Sequence, residues 1–281
     1  MNPLFGLADL HTHTALCRHA SGTPEEYLAE AKRKGLACLG VSDHFPAPAG
    51  YDADFRMKKE EFRQYSELVS HLKGKGRKIG VEVLYGAEFD YVPGRMDEVH
   101  QALEEAQSHG LPKFDYLIGS VHYVHGFAYD DPDKVAEWQQ YGADQIWEWY
   151  LDDLYKFVKT EQFHILAHPD LPKKFGFRHS NPAYILERYR AILRLASKKR
   201  ICLELNTCGL RVPASEIYPS PDLLQIAFES AMQITFGSDA HKPEYVGADF
   251  DAAASLAMSC GWNDVIVFHE GVPSMISLRR R

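Results

Sequence analysis

Two pairs of side chains in this chain sit at the spacing that lets two ligands share one cation. His11-Thr12-His13 and Asp239-Ala240-His241 each separate two ligand-type residues by one position. On a strand, residues two apart point to the same face, so each pair presents both side chains together. Imidazole is the commonest metal ligand near neutral pH, and the chain has 14 histidines, so the informative question is where they fall. Four further strings place a ligand-type residue directly after a short apolar run: Ser42-Asp43-His44, Gly86-Ala87-Glu88, Ser120-Val121-His122 and Ala167-His168-Pro169-Asp170. Glu88 follows small and apolar neighbours, where a carboxylate is costly unless it meets a cation. Its two oxygens could bridge two metals, as two-metal hydrolysis requires. His19 lies in the loop after the first apolar run, over the same region, whereas Cys17 beside it reads as a small buried apolar residue. No Gly-x-Ser-x-Gly elbow and no Walker loop is present, which removes most of the case for a serine nucleophile or a nucleotide-triphosphate motor.

The elements that must position these residues alternate along the chain. Strand-like runs cover 7–10, 36–41, 81–85, 116–119, 164–167, 201–205 and 234–236. Helix-like segments cover 24–33, 58–73, 96–109, 134–159, 182–198, 221–231 and 250–260. Thr23-Pro24-Glu25-Glu26 reads as a helix start, and Gly35 and Gly110 as helix stops. An unbroken strand–helix alternation argues for a parallel sheet, and closure into a single barrel explains the lack of a linker or composition shift. On pattern alone an open doubly wound sheet competes with the barrel. A late run, 265–268, reads either as an eighth strand or as a tail beneath the barrel. Six of the seven strand ends deliver a histidine, aspartate or glutamate, and the carboxyl-terminal rim is where barrel enzymes place their chemistry.

Composition agrees with a soluble enzyme of 281 residues: 45% hydrophobic, 25% charged, and no apolar run near the ~20 residues of a membrane helix. The formal charge of −8 argues against a nucleic-acid partner, although a metal site can draw phosphate locally. Five scattered cysteines without a paired motif favour a reducing, cytoplasmic setting over a disulfide framework. Met1-Asn2-Pro3-Leu4-Phe5 lacks the charged and apolar stretches of a signal peptide. Nothing in the composition excludes a homo-oligomer.

These motifs resemble the polymerase and histidinol phosphatase (PHP) superfamily across nearly the whole chain. The resemblance implies a distorted seven-stranded β/α barrel, a (β/α)7 fold, as one domain over 1–281 with two or three divalent ions (zinc, iron or manganese). It implies nine metal ligands: His11, His13, His19, His44, Glu88, His122, His168, Asp239 and His241. Strings between the ligands, among them His168-Pro169-Asp170-Leu171-Pro172-Lys173-Lys174-Phe175-Gly176 and Glu204-Leu205-Asn206-Thr207-Cys208-Gly209-Leu210-Arg211, resemble the histidinol-phosphatase branch. That likeness implies a small phosphate monoester, histidinol phosphate, as substrate, and no membrane or nucleic-acid partner. Another phosphoesterase of the superfamily, acting on nucleotides or phosphotyrosine, is the competing reading. Asp239 is expected to ligate metal and also to handle a proton. A phosphate should meet a cation, and Arg178, Arg18 and Lys174 are the candidates.

Overall fold

The computed structural model describes residues 6–108 and 110–279. The N-terminal string 1–5 and His109 lie outside the described residues. Among the rest, the strands are β1 (Ala8–Asp9), β2 (Cys38–Val41), β3 (Glu82–Asp90), β4 (Tyr116–Ser120), β5 (Tyr123–Val124), β6 (Phe127–Ala128), β7 (Ile165–Leu166), β8 (Cys202–Asn206), β9 (Ile234–Gly237), β10 (Asp264–His269) and β11 (Val272–Ser277). The helices are α1 (Pro24–Lys34), α2 (Phe62–Ile79), α3 (Met96–Ala106), α4 (Trp138–Tyr141), α5 (Ala143–Thr160), α6 (Pro182–Lys198), α7 (Pro221–Glu229) and α8 (Phe250–Cys260).

Seven strands pair in parallel in the order β1-β2-β3-β4-β7-β8-β9. Backbone bonds then join the two ends of that order: Leu10 N–H donates to the Phe236 carbonyl at 3.0 Å and His13 N–H to the Ala240 carbonyl at 3.0 Å. The sheet is therefore a barrel, not an open doubly wound sheet. Closure places His11 and His13 directly beside Asp239 and His241.

Local sequence explains most of the helices. Thr23 and Glu26 form a reciprocal capping box at the start of α1, with Pro24 in the first turn. Asn181 caps α6, again followed by proline. In α5 the buried positions Trp147, Tyr150, Leu151, Leu154, Phe157 and Val158 recur at helical spacing and face the barrel. Several expected boundaries shift, and one open alternative is decided. The segment expected as one helix over 134–159 is a 3-10 turn, α4 and then α5, broken at Gly142, whose φ of 82° a helix does not permit. The third strand does not stop at 85. It continues to Asp90 because Gly86–Asp90 pair with Tyr116–Ser120, which puts Glu88 within the strand. The late apolar run is the tail and not an eighth barrel strand: β10 pairs antiparallel with β11, and Ile266, Val267 and Phe268 join the apolar cluster inside the barrel.

That inner cluster leaves little free volume. Tyr116 is fully buried and donates to the Leu10 carbonyl at 2.6 Å. A Cβ at Gly40 would stand 2.0 Å from the Tyr116 hydroxyl and 2.9 Å from the Leu10 Cα. Gly40→Ala should therefore destabilise the fold by about 2 kcal/mol through overpacking. A urea midpoint equal to that of the parent would refute this reading of the barrel interior.

Candidate metal centre

Nine side chains converge at the carboxyl-terminal rim. The Glu88 carboxylate is at the middle, 1% exposed. Its Oε2 lies 3.3 Å from His11 Nε2, 2.9 Å from His44 Nδ1 and 3.8 Å from His13 Nε2. Its Oε1 lies 3.2 Å from His168 Nε2 and 3.7 Å from His122 Nε2, and also accepts the Ser120 hydroxyl. Asp239 Oδ1 stands 3.0 Å from His13 Nε2 and 3.7 Å from His11 Nε2. His241 stacks on His13 with ring centroids 4.0 Å apart, and His19 closes the outer side at 4.5 Å from His241. Two of the nine residues, His168 (φ 22°) and Asp239 (φ 53°), hold positive backbone angles. Strain of that kind persists where surrounding structure fixes a side chain for a purpose.

Four of the other ring nitrogens are held from behind. His11 Nδ1 bonds Glu204 at 2.6 Å and His122 Nδ1 bonds Asp90 at 2.6 Å, whereas His13 Nδ1 stands 3.5 Å from Asp43 without a hydrogen bond. His19 Nδ1 bonds the Cys17 carbonyl at 2.9 Å, and His241 Nδ1 the Asp239 carbonyl at 3.1 Å. Fixing one nitrogen in this way sets the tautomer and aims the other nitrogen inward. Glu204, Asp90 and Asp43 were not singled out by the sequence reading. Glu204 and His11 are 193 residues apart, so nothing local advertises their contact. The only available signal was a carboxylate inside an apolar strand string, Cys202-Leu203-Glu204-Leu205.

Do these residues fit metal ions? His11 Nε2, His44 Nδ1, His241 Nε2 and Glu88 Oε2 are buried atoms without a hydrogen-bond partner, all at the centre. Buried polar atoms are rarely left unpaired, and three imidazole nitrogens together with a carboxylate oxygen call for cations. Donor atoms of His11, His13 and Asp239 lie within 4.8 Å of one another, as do those of His44, Glu88 and His122, and of His13, His44 and His241. Those groups overlap at His13 and His44 and suit two or three ions around Glu88.

The electrostatics agree. Burial opposes charge on Glu88 and Asp239, but the surrounding imidazoles outweigh it and hold both carboxyls well below their usual range. At His44 and His241 burial dominates, and both rings are pushed well below the ordinary histidine value, which leaves a neutral imidazole with a free lone pair. Burial also works against a proton on His122, yet the Asp90 carboxylate prevails and lifts it to about 10. The carboxylates that favour a proton on such a ring favour a metal cation in its place.

A cavity of about 420 Å³ opens over the ring and includes Phe55, Arg56, Tyr123, Asp130 and Lys174 on its walls. Of the three expected phosphate cations, only Lys174 is on that wall, its ammonium 3.2 Å from Asp130. Arg18 is spent on Glu61 at 2.8 and 2.9 Å and on two backbone carbonyls. Arg178 lies on a neighbouring cavity, near Glu216. The cation missed in the sequence is Arg56, which is buried against Asp52 and Asp90 and borders the metal cavity. Among the described residues, the remaining histidines stay out of the ring. His71 and His269 pair with exposed acids, His100 pairs with the buried Glu161, His125 stacks on Trp149, and His164 accepts the Leu117 amide.

The support behind His11 can be tested separately from the ligands. Glu204→Gln keeps the volume but removes the carboxylate, and should cut activity or metal affinity by about 10- to 100-fold. Parent-like values for both would refute a positioning role for Glu204.

A barrel with this rim defines a class, and comparison with known proteins places the chain within it. The PHP domain model matches residues 9–208, and the chain belongs to the PHP domain family. It is 36% identical over 266 residues to a "Probable histidinol-phosphatase" of Deinococcus radiodurans, covering 94% of this chain and 97% of that one. It is 27% identical over 264 residues to the "Histidinol-phosphatase" of Bacillus subtilis, covering 87% of this chain and 97% of that protein. A similar fold is seen in histidinol phosphate phosphatase from Lactococcus lactis, solved with zinc, L-histidinol and phosphate. That structure aligns with a TM-score of 0.78 at 21% identity, covering 96% of this chain and 99% of the other.

Proposed function

We propose that this protein hydrolyses histidinol phosphate to histidinol and phosphate, at two or three divalent ions held by His11, His13, His19, His44, Glu88, His122, His168, Asp239 and His241. The observation that carries the reading is the Glu88 carboxylate, buried and faced by five imidazoles with unpartnered nitrogens among them. Likeness along nearly the full length to histidinol-phosphatases supports the substrate. When bound, zinc, iron or manganese at this site would neutralise phosphate oxygens and lower the pKa of a water.

The chain's own groups do the rest. Glu88 turns one oxygen towards His11, His13 and His44 and the other towards His122 and His168, so a single carboxylate spans two donor groups. Asp239, at the open side of the ring, is placed to ligate and to take the proton of the attacking water. Lys174 faces the cavity and meets a phosphate oxygen. Asp52, Asp130, Asp131 and Asp133 also border the cavity. Their negative charge suits a leaving group that carries an ammonium and repels a polynucleotide. This is the argument from the site against the nuclease and nucleotide readings. Among the described residues no helix is long and apolar enough to cross a membrane. The five free thiols, three of them buried, support a reducing cytoplasmic setting for the enzyme.

Phosphate release from histidinol phosphate, a nucleoside monophosphate and phosphotyrosine, compared at equal enzyme, tests the substrate. Histidinol phosphate should be preferred, and equal or faster release from either rival would overturn the assignment. Lys174→Ala should lower kcat/KM by about 10- to 100-fold, the worth of a charged hydrogen bond to an anion. An unchanged value would remove Lys174 from the substrate site.

A further inference from the structure

Among the acids that border the metal cavity, Asp130 differs in position and in commitments. It follows the β5–β6 hairpin, directly after the fully buried Tyr129. The Tyr129 hydroxyl donates to the Val121 carbonyl, and the Tyr129 carbonyl accepts the Trp138 indole N–H at 2.8 Å. On the other side of Asp130, Asp131 caps the 3-10 turn over Pro132–Glu137. Asp130 is therefore held between two fixed neighbours. Lys174 reaches it from the segment after β7, with its ammonium 3.2 Å from Asp130 Oδ2. Each of the two segments leaves the barrel through a proposed ligand, His122 in one and His168 in the other.

The remaining acids on the wall are engaged or exposed. Asp52 Oδ2 accepts from Arg56 Nε at 3.1 Å, and its Oδ1 accepts the Tyr123 hydroxyl at 2.7 Å. Asp131 Oδ1 accepts the Asp133 amide at 2.8 Å, and Asp133 itself is exposed. Asp130 gives Oδ2 to Lys174, whereas its Oδ1 accepts nothing among the described residues. Its side chain is 20% exposed and borders the cavity, so a solute there can reach it. Burial works against its charge, but Lys174 and then His122 outweigh burial and hold the carboxyl below its usual range. At neutral pH the wall thus carries an anion with one oxygen uncommitted, next to a cation.

That pairing matches the charges of one kind of ester. In histidinol phosphate the ammonium stands on the second carbon from the ester oxygen. A phosphate held by the ions and Lys174 brings this ammonium towards the neighbour of Lys174. Phosphate, Lys174, Asp130 and ammonium then alternate in sign, each beside an opposite charge. An ester without the ammonium fills the cavity and leaves Asp130 Oδ1 short of a partner, the condition that gives a site its strongest discrimination.

We propose, on the basis of the phosphatase reading, that Asp130 is the specificity-determining residue for the substrate's ammonium. Through it the site selects phosphate monoesters of β-amino alcohols. Oδ1 receives the ammonium, while Oδ2 keeps Lys174 beside the phosphate.

The metal-loaded parent, Asp130→Asn and Asp131→Asn are compared on histidinol phosphate and on 3-(imidazol-4-yl)propyl phosphate, the same ester without its amine. The parent should favour the amine by about 10- to 100-fold in kcat/KM, the worth of a charged hydrogen bond. In Asp130→Asn that ratio should fall to within about threefold of unity. Any disturbance of Lys174 acts on both esters and cancels in the ratio. Asp131→Asn keeps a good capping residue and should keep the parent's ratio. Calorimetric binding of L-histidinol against 3-(imidazol-4-yl)propan-1-ol reads the same contact in a variant too slow for kinetics. No preference for the amine in the parent, an unchanged ratio in Asp130→Asn, or an equal fall in Asp131→Asn overturns the role of Asp130. Each of these leaves histidinol phosphate standing as the substrate if it still outpaces a nucleoside monophosphate and phosphotyrosine. If it does not, the substrate reading fails, and the amine ratio still decides the role of Asp130.

Discussion

Glu88→Gln should lower turnover on the order of 1000-fold or more, and the purified variant should carry fewer ions per chain than the parent. The size of the effect follows from position. Glu88 is the carboxylate with an imidazole nitrogen within 4 Å of each oxygen, so its charge is shared by two donor groups. Glutamine keeps the shape and can still receive the Ser120 hydroxyl on one side, but presents an amide where a cation needs an anion. Kinetics and elemental analysis on the same preparation check this. Parent-like turnover with a full metal complement would remove Glu88 from the centre.

Chelation should cost stability as well as activity. Without ions, the barrel rim keeps buried carboxylates and imidazoles whose inward atoms face one another with no compensating partner. Ions that bind the folded chain and not the unfolded one stabilise it by mass action, about 4 kcal/mol at a thousandfold excess over Kd. For a chain of this size that corresponds to a fall in Tm on the order of 10 °C on metal removal, with recovery of both Tm and turnover on adding zinc or manganese. The same Tm with and without chelator, at full loss of metal, would show that the ring is stable by itself and would contradict the electrostatic reading of the centre.

The fold and the ring were legible in the sequence to different depths, for identifiable reasons. Apolar runs ending in His, Asp or Glu repeat along the chain, and this pattern marks the strands together with their rim residues; the structure brings all nine expected ligand positions together. Closure was less accessible, because the bonds from Leu10 and His13 to Phe236 and Ala240 join opposite ends of the chain. The same holds for support behind the ligands. Glu204, Asp90 and Asp43 act on histidines brought to them only by the barrel. Cations were hardest to place. Arg18 and Arg178 are near proposed ligands in sequence, but Glu61 and Glu216 draw them elsewhere, while Arg56 enters from a loop with no motif around it. Boundaries moved where a partner strand overrode local pattern, as in β3, or where Gly142 ended a helix within an otherwise helical stretch.

The central claim is that turnover depends on a multinuclear centre organised around Glu88. Titrating metal into chelator-treated protein, with bound ions per chain and histidinol phosphate hydrolysis measured at each step, tests it most directly. Activity should stay near zero until more than one ion is bound per chain and reach its maximum at two or three. Full activity at one ion or none would contradict the claim.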